Sequence, residues 1–96
     1  MTVSLFDPVQ LGELALANRI AMAPLTRNRA VNNIPSELTA TYYVQRASAG
    51  LIISEGTPVS QQGQGYADVP GLYLPAQVEG WQRVTAQVHA AGGKIF

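Results

Sequence analysis

The chain is 96 residues long, 47% hydrophobic and only 12% charged, where soluble proteins average about 25% charged. Six basic and six acidic side chains leave no net charge, so neither nucleic acid nor an anionic membrane is an expected partner. The absence of cysteine excludes a disulfide framework and any cysteine-ligated metal site within these residues.

One small domain is the most this length accommodates. Such a domain buries only about 60% of its unfolded surface, so the low charge content implies that other polypeptide covers part of it. The opening run Met1 to Pro8 lacks the basic and apolar regions of a signal peptide. No apolar run approaches the roughly 18 residues that cross a bilayer. A soluble, cytoplasmic protein is the expectation.

Val9 to Leu16 alternates on both sides of Gly12-Glu13, which predicts a hairpin with a tight turn. Asn18 to Leu25 holds four apolar residues in a row before Pro24, the pattern of a strand buried on both faces. Thr26 to Pro35 is polar and aperiodic, a loop. Ser36 can cap a helix with Glu37 in its first turn. That helix is expected to reach about Ala47, with Leu38, Tyr42 and residues 45–49 on one face and Gly50 as its stop. Leu51 to Glu55 reads as a second buried strand.

Thr57 to Tyr73 is rich in glycine, proline and glutamine and has no period, the signature of a functional loop. Pro75 suits the first turn of a second helix. Val78, Trp81, Val84 or Thr85, and Val88 recur at helical spacing to Ala91, and Gly92-Gly93 ends it. Leu74 stands where a capping side chain is expected. Lys94-Ile95-Phe96 begins a third strand.

The order is hairpin, then β-α-β-α-β. Strands alternating with helices of this length imply parallel βαβ units. Three parallel strands and two helices leave sheet edges bare, and closing them into an eight-stranded barrel takes about 250 residues. The expected fold class is therefore α/β, residues 1–96 being the amino-terminal portion of a single (β/α)8 TIM barrel domain, incomplete by itself.

Active sites of such barrels lie at the carboxyl ends of the strands. Ala23-Pro24-Leu25-Thr26 follows the first strand and Glu55-Gly56-Thr57 the second, so both would line one mouth. Each segment pairs a small residue with a hydroxyl donor.

These segments, together with Leu5-Phe6-Asp7-Pro8, Asn18 through Arg27, Tyr42 through Ala47, Gly50 through Thr57, Gln77 through Trp81 and His89 through Phe96, resemble the Old Yellow Enzyme family of FMN-dependent ene-reductases. The likeness runs in order along nearly the whole chain and is to the branch with bacterial N-ethylmaleimide reductases. It implies that Ala23, Pro24 and Leu25 pack along the flavin of FMN, and that Thr26 donates a hydrogen bond toward the flavin C4 carbonyl. Negative charge grows on the ring upon reduction, so a donor there favours the reduced form. A related branch carries Cys where this chain has Thr26. Gly56 would allow close backbone approach to the ring, and Tyr66 would border the substrate pocket.

The resemblance further implies NAD(P)H as reductant and an activated alkene as substrate. The family's pyrimidine-contacting Gln, substrate-gripping His pair, proton-donating Tyr and phosphate loops correspond to positions beyond Phe96. The remaining barrel polypeptide is thus an expected partner, and the catalytic residues are expected outside this chain. The rival reading is an inactive or self-associating fragment, or one piece of a split enzyme, since bare strand edges invite pairing.

Several residues have plainer roles. Glu55 is expected to pair with Arg27, Arg29 or a residue elsewhere, because a buried carboxylate needs a partner. Arg19 and Arg46 read as structural. Tyr42 and Tyr43 read as anchors of the first helix, Trp81 as core packing, and His89 as a surface residue.

Overall fold

The structure is a computed structural model that describes residues 2–96. Two strands, β1 (Val9–Leu11) and β2 (Leu14–Leu16), form the expected hairpin, with Val9 opposite Leu16 and Leu11 opposite Leu14. The two-residue turn closes because Gly12 adopts φ +61°, a left-handed conformation that other side chains resist.

The next strand, β3 (Ala21–Met22), runs parallel to β4 (Leu51–Ile52), pairing Ala21 with Leu51 and Met22 with Ile52. Ile95 bridges Ile52 in parallel on its other side. Backbone bonds carry the pairing one residue further at each end, from Leu51 N–H to Ile20 O at 3.3 Å and from Ile53 N–H to Met22 O at 3.0 Å. The strands are shorter than the apolar runs that predicted them. Pro24 has no N–H to continue the ladder, and the third strand is a single bridge instead of a ladder.

The first helix, α1 (Glu37–Val44), begins at Ser36, whose N–H donates to Thr39 Oγ1 at 3.0 Å. It ends three residues before the expected Ala47. Residues 45–49 instead wind through tighter turns, with Arg46 N–H to Tyr43 O at 3.0 Å and Ala47 N–H to Val44 O at 3.1 Å, a common way to finish a helix. The expected buried face is corrected at Leu38, while Tyr42 packs on the core and Ala47 is buried as expected. Leu38 is 77% exposed, whereas Thr39, Ala40, Tyr43 and Ala47 are buried. Small residues beside one large ring bring this face close to its neighbours.

The second helix, α2 (Pro75–Ala90), buries Gln77, Gly80, Val84 and Val88, while Val78 is exposed. Leu74 cannot cap it, and the cap comes from inside the helix. Gln77 Oε1 accepts from the N–H groups of Tyr73 and Leu74, both at 2.9 Å. This is the reaching-back half of a capping box.

Ile52, Ala40, Tyr43, Val84 and Val88 form the buried core, with Met22, Trp81 and Ile95 packed around it. Period-two alternation along β4 turns Ile52 toward the helices and Leu51 and Ile53 to the other sheet face. There, an open apolar groove runs between Leu51, Ile53, Phe96 and the hairpin residues Leu11 and Leu14. The chain extends 50 × 24 × 22 Å with a radius of gyration of 14.6 Å, against about 12.5 Å for a closed domain of this length. One sheet face is covered by helices and the other is open, as in a segment of a barrel wall. Among the described residues no helix is long and apolar enough to cross a membrane.

Candidate functional site at the strand tips

Because β3 and β4 are parallel neighbours, the segments that follow them leave the sheet at the same edge. Ala23, Pro24, Leu25 and Thr26 are all exposed there, Leu25 by 59%. Gly56 is exposed too, and a Cβ built on it meets nothing within 4 Å. The tip after β4 is turned by Thr57, whose hydroxyl donates to Glu55 O at 2.7 Å. An exposed apolar run, a terminal hydroxyl and open space at a glycine suit a flat ring system with a carbonyl at its edge. The residues present would fit the flavin of FMN that the resemblance implies. Among the described residues, no cluster of His, Asp and Glu could hold a metal ion.

Beneath the tips lies a buried polar cluster. Glu55 pairs with Arg27, the first of its expected partners, through Nη2 and Oε2 at 3.3 Å, with side chains 1% and 15% exposed respectively. Tyr43 donates its hydroxyl proton to Glu55 Oε2 at 2.8 Å and accepts the Glu55 N–H at 3.0 Å. The Arg27 guanidinium stacks 3.7 Å from the Tyr42 ring centre, and Arg46 covers the same ring at 3.9 Å. Each cation gains from the negative ring face. Arg29 instead donates to the backbone carbonyls of Arg27 and Asn28.

Anchoring was the expected role of Tyr43, and its bond to the backbone of Glu55 adds a second one. It fixes the strand tip to α1, a link that helical periodicity alone does not reveal. Gln77 likewise sat in an unremarkable helical position, although a Gln at the third residue of a helix is a known cap signal.

Burial, reinforced by the adjacent Glu55 carboxylate, pushes the Tyr43 phenol well above its ordinary value of 10.0. In the unfolded chain the phenol ionises near that ordinary value, while in the folded protein it keeps its proton. Above pH 10 the unfolded state therefore binds fewer protons, and stability falls as pH rises. The expected slope approaches about 1.4 kcal/mol per pH unit. Urea melts between pH 9 and 11 check this, and Tyr43→Phe should remove the slope at the cost of lower stability at pH 8.

Tyr66 is 70% exposed in the loop over residues 57–73, which is irregular as expected. That loop docks on the segment following Thr26, through Ala30 N–H to Asp68 O at 2.8 Å and Asn33 Nδ2 to Val69 O at 3.0 Å. Among the described residues no hydrogen bond joins Tyr66 to the strand tips; its carbonyl accepts from Gln64 Nε2 at 3.1 Å. Trp81 packs on the core with its ring 6.2 Å from Tyr43, and its Nε1 donates to Gly71 O at 3.2 Å. His89 is exposed on α2.

A family model described as the NADH:flavin oxidoreductase / NADH oxidase family matches residues 4–96. The flavin oxidoreductase hxnT of Emericella nidulans is 45% identical over 96% of this chain and 25% of its own length. The 12-oxophytodienoate reductase 7 of Oryza sativa subsp. japonica is also 45% identical, over 96% of this chain and 24% of its own. Among solved structures, morphinone reductase in complex with tetrahydroNAD superposes with a TM-score of 0.95 at 52% identity, over 98% of this chain and 26% of that one. The old yellow enzyme homologue of Zymomonas mobilis gives 0.93 at 56% identity, over 98% and 27%. The chain thus spans about a quarter of the length of the proteins it matches. The parallel βα units, the strand tips and a match over nearly every residue agree: the chain belongs to the NADH:flavin oxidoreductase / NADH oxidase family, with the fold of one part of an Old Yellow Enzyme barrel.

Proposed function

We propose that this chain forms part of an FMN-dependent NAD(P)H oxidoreductase that reduces activated C=C bonds, such as those of enals, enones, maleimides and nitro compounds. The observation that carries this reading is the parallel pairing of β3 with β4, which sets the Thr26 and Gly56 tips on one edge. Ala23, Pro24 and Leu25 supply an apolar bed along the flavin ring, and Gly56 leaves space for its edge. Thr26 donates a hydrogen bond where the ring gains negative charge, an interaction that strengthens on reduction. When bound, FMN supplies the hydride chemistry between the nicotinamide and the alkene.

Tyr66 borders the substrate pocket once its loop closes over the tips. The remaining barrel polypeptide supplies the other walls of the flavin slot and the groups that grip and protonate substrate. Its strands also cover the apolar groove beside Ile53 and Phe96. The working compartment is the cytoplasm.

Residues 1–96 alone are expected to show no reductase activity and no flavin absorbance after gel filtration with FMN. Mixing with the complementary barrel segment should restore both the flavin spectrum and NAD(P)H-dependent reduction of an enone. A yellow, active monomer of residues 1–96 alone would refute the proposal, as would a complemented barrel without flavin. Large aggregates both with and without the complement would support the rival reading of a self-associating fragment.

A further inference from the structure

Arg27 directly follows Thr26, and Glu55 directly precedes Gly56. The last backbone bond between the two strands is Ile53 N–H to Met22 O. Beyond it, among the described residues, the hydrogen bonds joining residues 23–27 to residues 54–57 reduce to one, the Arg27–Glu55 ion pair. The pair is held on both sides. Tyr42 and Tyr43 of α1 flank the guanidinium at 3.7 and 5.7 Å, and the Tyr43 hydroxyl grips both the carboxylate and the backbone N–H of Glu55. Arg27 Nε is buried with no partner, so the side chain is placed by the pair and the stack at the expense of one unmet donor. Leaving a buried N–H unsatisfied is unfavourable.

We infer that Arg27 and Glu55, braced by Tyr43, are positioning residues for the flavin: they set the spacing between the Thr26 hydroxyl and the Gly56 backbone on which the ring rests. The inference rests on the proposed FMN function. Neither side chain touches the ring. They act through the residues next to them, and a displacement of about 1 Å at such a contact is enough to change its chemistry severely. Glu55→Gln is the informative variant, because glutamine can still bond the Tyr43 hydroxyl while the charge pair is lost.

The test uses the FMN-loaded complete barrel containing this chain, with FMN affinity measured by fluorescence quenching and the flavin midpoint potential by dye equilibration. Glu55→Gln should weaken FMN binding about tenfold. It should also reduce the preference for reduced over oxidised FMN about tenfold, which for a two-electron couple lowers the potential by about 30 mV. Arg27→Lys, which retains the cation, should recover part of both losses. If Glu55→Gln does not fold, Arg27→Lys carries the test, with roughly a threefold loss expected in each quantity. A folded variant of either kind with wild-type affinity and potential overturns the inference. Thr26→Ala separates this outcome from failure of the underlying proposal. It should lower the potential whatever the pair does, and if it leaves the potential unchanged, the flavin wall itself is misassigned.

Discussion

Gly50→Ala is expected to destabilise the protein by about 3–5 kcal/mol, a large share of the roughly 5–15 kcal/mol that holds an ordinary domain folded. A Cβ at this position would lie 2.1 Å from Asn18 O and 2.9 Å from both Asn18 C and Oδ1. The obstructing atoms are mostly backbone and cannot swing aside. Overpacking alone typically costs 1–3 kcal/mol, and here hydrogen bonds go with it. Asn18 Oδ1 accepts from Gly50 N–H at 2.8 Å and Ile20 N–H at 3.0 Å, while Asn18 Nδ2 donates to Ser48 O at 2.8 Å. This one side chain joins the entry of β3 to the entry of β4, so separating residues 18 and 50 pulls the parallel pair apart. Urea unfolding monitored by circular dichroism checks the effect. Gly65→Ala, at a site where a Cβ meets nothing within 4 Å, should shift the midpoint by only a few tenths of a kcal/mol. Equal midpoints for the two variants would contradict the packing described for the strand entries.

Arg27→Met is the second large effect, expected at about 3–5 kcal/mol. Its side chain fills similar space but leaves Glu55, 1% exposed, without its cation. Removing one partner of a buried ion pair strands the other charge away from water, and that penalty outweighs the interaction itself. The double variant Arg27→Met/Glu55→Gln should therefore be more stable than Arg27→Met alone. A coupling energy of roughly 2 kcal/mol or more in the double-mutant cycle is the expected result. Simple additivity would show that the pair is solvated and of little consequence.

The hairpin, both helices and the parallel order were legible in the sequence because each rests on a local signal. Gly12 marks the turn, Ser36 and Pro75 mark the helix starts, and the apolar runs ending at Pro24 and Glu55 mark the buried strands. What the sequence concealed depends on contacts across many residues. Leu38 looked like core but is exposed, because the surface α1 buries was decided by how closely Ala40 and Ala47 allow it to approach. Gly50 read as a helix stop and instead makes room for the backbone at Asn18, 32 positions earlier. The end of α1 moved inward because residues 45–49 turn tightly to reach that contact.

The candidate site was legible to a similar extent. Placing Ala23 to Thr26 beside Gly56 required only that two βα units be parallel and adjacent. The pairing of Glu55 with Arg27 followed from the need of a buried carboxylate for a cation, although Arg29 was equally eligible on sequence grounds. The Tyr43 brace and the double stack of Arg27 and Arg46 on Tyr42 carry no signature in spacing. They are set by where α1 lies against the tips.

Trp81 is the sole indole of the chain, and its placement makes it a built-in optical reporter. Its ring N–H is tied to Gly71 at the end of the long loop, and its ring lies against Tyr43, the brace beneath the strand tips. Emission from one fluorophore therefore senses both the docking of that loop and the integrity of the buried cluster. In the complete barrel proposed above, energy transfer to a flavin over the tips would be expected to quench it.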